Sequence, residues 1–128
     1  MIKATTNTTL LLLVSDPIVR AVMEDVLDHA GYTVLATSDL GQAVDRLKNF
    51  TPDLLIIRTY VQNLPGHDAA KYLRTKCPGM KVLMVGGLLD DERLQDRMSL
   101  QGFAVFPKPY SAAALLEKVR EVLSEPHG

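Results

Sequence analysis

Residues 10–14, 54–57 and 82–85 are runs in which apolar side chains follow one another without polar alternation. Unbroken runs of this length fit strands buried on both faces, as in a parallel sheet covered by helices. The middle strand is expected over residues 53–57, and residues 32–36 and 104–106 add two shorter ones. Between them the apolar positions change to helical spacing. Ile18, Val22 and Val26 begin this series with Leu27 and Ala30, followed by Ala43, Val44 and Leu47, then Ala69, Ala70 and Leu73. Leu94 and Met98 suggest a short fourth helix, and Leu115, Leu116, Val119 and Val122 a longer last one.

The punctuation agrees with these periods. Asp16-Pro17 supplies an N-cap and a first-turn proline, and Gly31 a stop. Ser38 or Asp39 caps a second helix reaching Phe50, and Pro52 closes that unit. Gly66 opens the third helix, Pro78-Gly79 turns the chain, Asp90, Asp91 and Glu92 favour the fourth helix start, and Ser111 caps the last. Five βα units result. Right-handed crossovers and the need to cover both sheet faces then predict a doubly wound α/β domain of order 2-1-3-4-5, a flavodoxin-like three-layer sandwich. Two helices are expected on one side and three on the other. The core is expected to include Leu11, Leu13, Ile56, Val82, Met84 and Val105.

A chain of 128 residues suits one domain, expected over 1–128 with its core over about 9–124. Its 47% apolar and 23% charged residues are those of a folded chain. The net charge of −1 is spread evenly, with five bases and seven acids in residues 1–64 and nine and eight in residues 65–128. Direct nucleic-acid binding therefore gains no support. No apolar run approaches the roughly 20 residues that span a bilayer. The run at 10–14 follows only Lys3 and a polar Thr/Asn stretch, unlike a signal peptide, so a cytoplasmic location without a membrane partner is expected. Cys77 has no second cysteine, and His29, His67 and His127 lack metal-ligand spacing, so structural or solvated roles are expected for all four.

In this topology the ends of the first, third, fourth and fifth strands converge on one rim, which gathers Asp16, Arg58, Gly86 and Lys108. The segments LLLVSD, PDLLIIR, KVLMVGG and VFPKPY that carry these residues resemble a response-regulator receiver domain, the CheY-like family. The resemblance implies an acid pair helping to hold Mg2+ after the first strand and a phosphoryl-accepting Asp after the third. It further implies a Thr or Ser after the fourth and a Lys-Pro pair after the fifth. The positions here read Ser15-Asp16, Arg58, Gly86 and Lys108-Pro109. Arg58 lies eight residues before Gly66, the family's spacing from acceptor to the glycine before its third helix.

These departures change the expected chemistry. Mg2+ needs several hard oxygen ligands with compensating negative charge, whereas a guanidinium is a cation and no nucleophile. A non-phosphorylatable receiver without metal, cofactor or catalytic residue is expected, with Asp16 joined to Arg58 in a bidentate ion pair, facing Lys108 instead, or left solvated like Arg58. Gly86 lacks the hydroxyl that moves in family switching, and Val105 stands where the family's aromatic switch residue is usual, with Phe106 adjacent. Function would then lie in protein contacts, on the family's surface of fourth helix, fifth strand and fifth helix, here with Leu94, Met98, Phe106 and Tyr110. The implied partners are another protein, a fused output or kinase domain, or a second copy in a homodimer. Two alternatives are a phosphorylatable receiver using Asp16, Ser15 or Thr59, and a sensor in which Arg58 and Lys108 bind a small anion.

Overall fold

The computed structural model describes residues 8–58, 60, 61, 64–85, 104–106 and 111–124, with 60 and 104–106 described by backbone alone. Its main sheet contains β1 (Thr9–Leu13), β2 (Thr33–Thr37), β3 (Leu54–Arg58), β6 (Lys81–Val85) and β7 (Ala104–Phe106), all parallel, in the order β2-β1-β3-β6-β7. A second sheet is the antiparallel pair β4 (Tyr60–Val61) and β5 (Leu64–Pro65). The described helices are α1 (Pro17–His29), α2 (Leu40–Arg46), α3 (Gly66–Lys76) and α4 (Ala112–Ser124). The predicted fourth helix, with Leu94 and Met98, lies outside the described residues.

Strand alternation divides the core into two layers. Leu10, Leu12, Val14, Leu54, Ile56, Leu83 and Val85 face α1 and α4, packing on Met23, Leu27, Leu115, Val119 and Val122. Leu11, Leu13, Leu55, Ile57, Val82 and Met84 face α2 and α3, packing on Ala43, Ala69, Ala70 and Leu73. This double coverage explains why every residue from Leu10 to Val14 is fully buried. Five of the six expected core residues are buried; the side chain of Val105 lies outside the described residues.

Hydrogen bonds fix the strand starts and helix ends. Thr9 N–H donates to Asp53 Oδ2 at 2.9 Å, Asp53 N–H to Thr9 O at 2.8 Å, and Lys81 N–H to Asp53 O at 3.0 Å. Asp16 Oδ1 accepts from Ile18 N–H at 2.9 Å and Val19 N–H at 3.2 Å, the N-cap predicted for α1. The other end closes at Gly31, whose φ of 100° is the left-handed conformation. Gly31 N–H donates to Asp28 O at 3.0 Å and Tyr32 N–H to Leu27 O at 3.3 Å, so Tyr32 belongs to the helix stop and β2 starts one residue later. For α2 the cap is Asp39, whose Oδ1 accepts from Gln42 N–H at 2.8 Å, while Gln42 Oε1 takes the Ser38 N–H at 2.8 Å.

Two expectations need correction, and one pair of strands is added. The second helix ends at Arg46 rather than Phe50, because Lys48 and Asn49 turn back to the carbonyls three residues earlier. The segment between β3 and α3 contains the antiparallel pair β4–β5, beyond the five expected strands. In α1, Ile18 and Val22 are 76% and 58% exposed, whereas Met23 and Leu27 fill the core and Val19 packs beside them. Helical spacing fits both stripes of this helix, and the larger Met and Leu side chains occupy the sheet-facing one.

Candidate functional site

At the carboxyl end of the sheet, β1 leads through Val14 and Ser15 to Asp16, and β3 ends at Arg58. Leu13 pairs with Ile57 and Arg58 with Val85, so the register carries Val14 and Val85 to either side of Arg58. Arg58 is half-buried and follows Leu54 and Ile56 on the α1-facing side of β3. Asp16 is exposed and spends Oδ1 on the first N–H groups of α1. No ion pair joins Asp16 to Arg58 among the described residues, so the expected bidentate pair is replaced by a helix cap.

Arg20 is the residue that sequence reasoning missed. From the second turn of α1 its Nη1 donates to Val14 O at 2.9 Å and to Ser15 O at 3.3 Å, tying the turn after β1 back to its helix. A base four residues after the capping Asp16, on a helix otherwise rich in acids, is the signal that could have found it. Arg20 and Arg58 therefore put two cations beside the strand ends where the resemblance implies a metal.

The turn beyond Arg58 is anchored from below. Tyr60 pairs with Pro65 and Val61 with Leu64, and Val61 is buried against the core beneath α2 and α3. Two apolar pairs flanking Gln62-Asn63 are the hairpin signal in the sequence. No side chain caps the following α3, because Pro65 holds its N-cap position.

The remaining candidates are dispersed. His29 is exposed beside Asp25, 3.3 Å from its carboxylate, and His67 Nε2 lies 3.4 Å from Asp68 Oδ1. Cys77 Sγ donates to Pro52 O at 3.8 Å; burial, then the Asp53 charge, pushes its thiol pKa up from the ordinary value. Among the described residues no three His, Cys, Asp or Glu side chains gather to hold a metal ion. Gly86, Leu94, Met98, Lys108, Pro109 and Tyr110 lie outside the described residues, as do Thr59 and His127, and Phe106 is described only by its place in β7.

The Mg2+ that the resemblance implies does not fit the donors present. Ser15 is neutral, the Asp16 carboxylate is engaged in capping, and Arg20 and Arg58 add positive charge where an octahedral ion would require compensating oxygens. No metal-dependent step is assigned to this rim.

A sequence model of the response regulator receiver domain matches residues 11–120. The chain belongs to that family. It is 24% identical over 116 residues to the chemotaxis protein CheY of Bacillus subtilis, covering 89% of this chain and 97% of that protein. It is 30% identical over 115 residues to a protein-glutamate methylesterase/protein-glutamine glutaminase of Natronomonas pharaonis, covering 80% of this chain but only 32% of the relative's length. A response regulator from Thermotoga maritima superposes with a TM-score of 0.81 at 19% identity, covering 94% of this chain and 100% of that structure. A CheY-like receiver domain from Methanospirillum hungatei gives 0.80 at 23% identity, covering 92% and 94% respectively. These structural likenesses establish the receiver fold. Among the described residues, no helix of this receiver domain is long and apolar enough to cross a membrane.

Proposed function

We propose that this domain is a receiver that accepts no phosphoryl group at Arg58 and serves as a protein-interaction or regulatory module in two-component-type signal transduction. The observation that carries the reading is the chemistry of Arg58 at the end of β3, the position the family resemblance gives to the acceptor. A guanidinium forms no acyl phosphate and ligates no Mg2+. The engagement of Asp16 as a helix cap and the neutral side chain of Ser15 support the same reading.

A receiver of this kind works through a surface that does not wait for phosphate. We assign that surface to the predicted fourth helix, β7 and α4, with Leu94, Met98, Phe106 and Tyr110 as contact residues. β7 is one of the two edge strands of the sheet, which leaves it open to such a contact. The partner is another protein, a fused output or kinase domain, or a second copy of the chain.

Sedimentation over a concentration series, with and without Mg2+ and a small phosphodonor, tests this reading. The expected distribution is the same in both conditions, whether monomer or dimer. Dimer formation only when both reagents are present would overturn it. If a dimer forms constitutively, Tyr110→Ala is expected to weaken it, because an aromatic side chain supplies broad contact at small entropy cost.

A further inference from the structure

We propose that the α1 face of one copy of this chain docks on the α2–α3 face of the next, a heterologous contact that stacks copies into open rows. It uses neither the rim nor the surface assigned above to the fourth helix, β7 and α4.

Among the described residues four large apolar side chains are exposed, and they divide equally between the two helical layers. Ile18 and Val22, 76% and 58% exposed and one turn apart, lie on α1, while Tyr72 lies on α3 and Phe50 just past α2. Clustered apolar groups left in water mark a contact surface.

The charges around the two pairs have opposite sign. Helix α1 carries the acids Glu24, Asp25 and Asp28, all exposed, and its one base, Arg20, is turned to the carbonyls of Val14 and Ser15. Helix α3 carries three bases and one acid, with Tyr72 beside exposed Lys71 and with the Lys76 ammonium 5.4 Å from its ring centroid. Exposed Arg46 likewise ends α2 ahead of Phe50. Bases at the ends of α2 and α3 suit the helix dipoles, whereas the acids of α1 gather toward the end where the dipole disfavours them. Helix stability does not account for these acids.

Each of these helices joins two parallel strands, so α1 and α3 both run from the carboxyl edge of the sheet back to its amino edge, on opposite faces. The acids of α1 and the bases of α3 therefore both lie in the half nearer the amino edge. A copy translated along the sheet normal brings those halves together with opposite charge, and the exposed apolar side chains of both layers lie between the copies. A two-fold pairing through either face alone joins helices of like net charge and gains none of this complementarity. The occupant of each face is thus the other face of a second copy.

Sedimentation velocity of the full chain over a concentration series at low and high sodium chloride tests the contact. At low salt the native chain is expected to grow past the dimer as concentration rises, since a heterologous contact of this kind does not close, and added salt should reverse the growth. Glu24→Lys with Asp25→Lys reverses α1, and Lys71→Glu with Lys76→Glu reverses α3; each double variant alone should associate at least about tenfold more weakly. An equal mixture of the two should recover the association, because each reversed face finds its complement on the other variant. Circular dichroism of each variant reports whether the fold is kept. A native chain that stops at monomer or dimer throughout would overturn the proposal, as would folded variants that associate like the native chain or a mixture that recovers nothing. None of these outcomes bears on phosphotransfer, which the preceding reading tests with Mg2+ and a phosphodonor.

Discussion

Asp16, which the resemblance implies for a metal-holding acid pair, has an oxygen that serves the fold. Its Oδ1 accepts two N–H groups that would otherwise be unsatisfied at the start of α1. Asp16→Ala is therefore expected to cost about 1 kcal/mol in urea unfolding, while Asp16→Asn, which still caps, should cost much less. Equal losses in both variants would assign the effect to the charge instead. At Cys77, burial and the neighbouring Asp53 charge raise the thiol pKa. The raised folded pKa means that any stability from the neutral thiol is present below the unfolded pKa and is lost as pH rises through the folded one. Near pH 9, iodoacetamide should modify native Cys77 more slowly than the urea-unfolded chain; equal rates would contradict the shift. Arg58 was legible as a cation closing an apolar strand run, and it ends β3 as that run indicates. Its failure to pair with Asp16 was not: the expected N-cap and the expected ion pair both called on the Asp16 carboxylate, and the sequence does not decide between them.

Among the elements, α1 separates what periodicity reveals from what packing decides. Its Asp-Pro start and glycine stop were legible because each depends on local backbone chemistry, and both form as expected. Its buried face was not, because Ile18 and Val22 have the same helical spacing as the Val19, Met23 and Leu27 stripe. Leu27→Ala should cost about 2–5 kcal/mol in urea unfolding, whereas Ile18→Ser should stay within about 0.5 kcal/mol. A large loss at Ile18 would restore it to the core. Gly31→Ala is expected to destabilise by about 1–2 kcal/mol, since an added Cβ disfavours the left-handed backbone there. The β4–β5 hairpin escaped sequence reasoning because each arm has only two residues, too few for alternation to register.

At the scale of the whole molecule, the sheet order was legible because continuous apolar strands, helical crossovers and chain handedness leave few arrangements. The described strands take that order. The rim was legible only as a gathering of strand ends: Asp16 and Arg58 follow β1 and close β3 as expected, whereas the bond from Arg20 to the turn after β1 was not foreseen. The receiver scaffold does not depend on acceptor chemistry at this rim, because its core layers include no side chain of Asp16, Arg20 or Arg58. On the proposed reading an acid at position 58 alone should not make a switch, since the resemblance implies other residues at Ser15, Gly86 and Val105 as well. Arg58→Asp is expected to show no phosphodonor-dependent dimer in sedimentation; efficient dimerisation would show that this single residue governs the loss. The most direct measurement is the intact mass of the native chain after incubation with Mg2+ and a small phosphodonor, with an acceptor-competent receiver in parallel. The parallel receiver should gain one phosphoryl group while this chain keeps its mass, and a stoichiometric adduct mapping to Ser15, Asp16 or Thr59 would contradict a receiver that works without phosphotransfer.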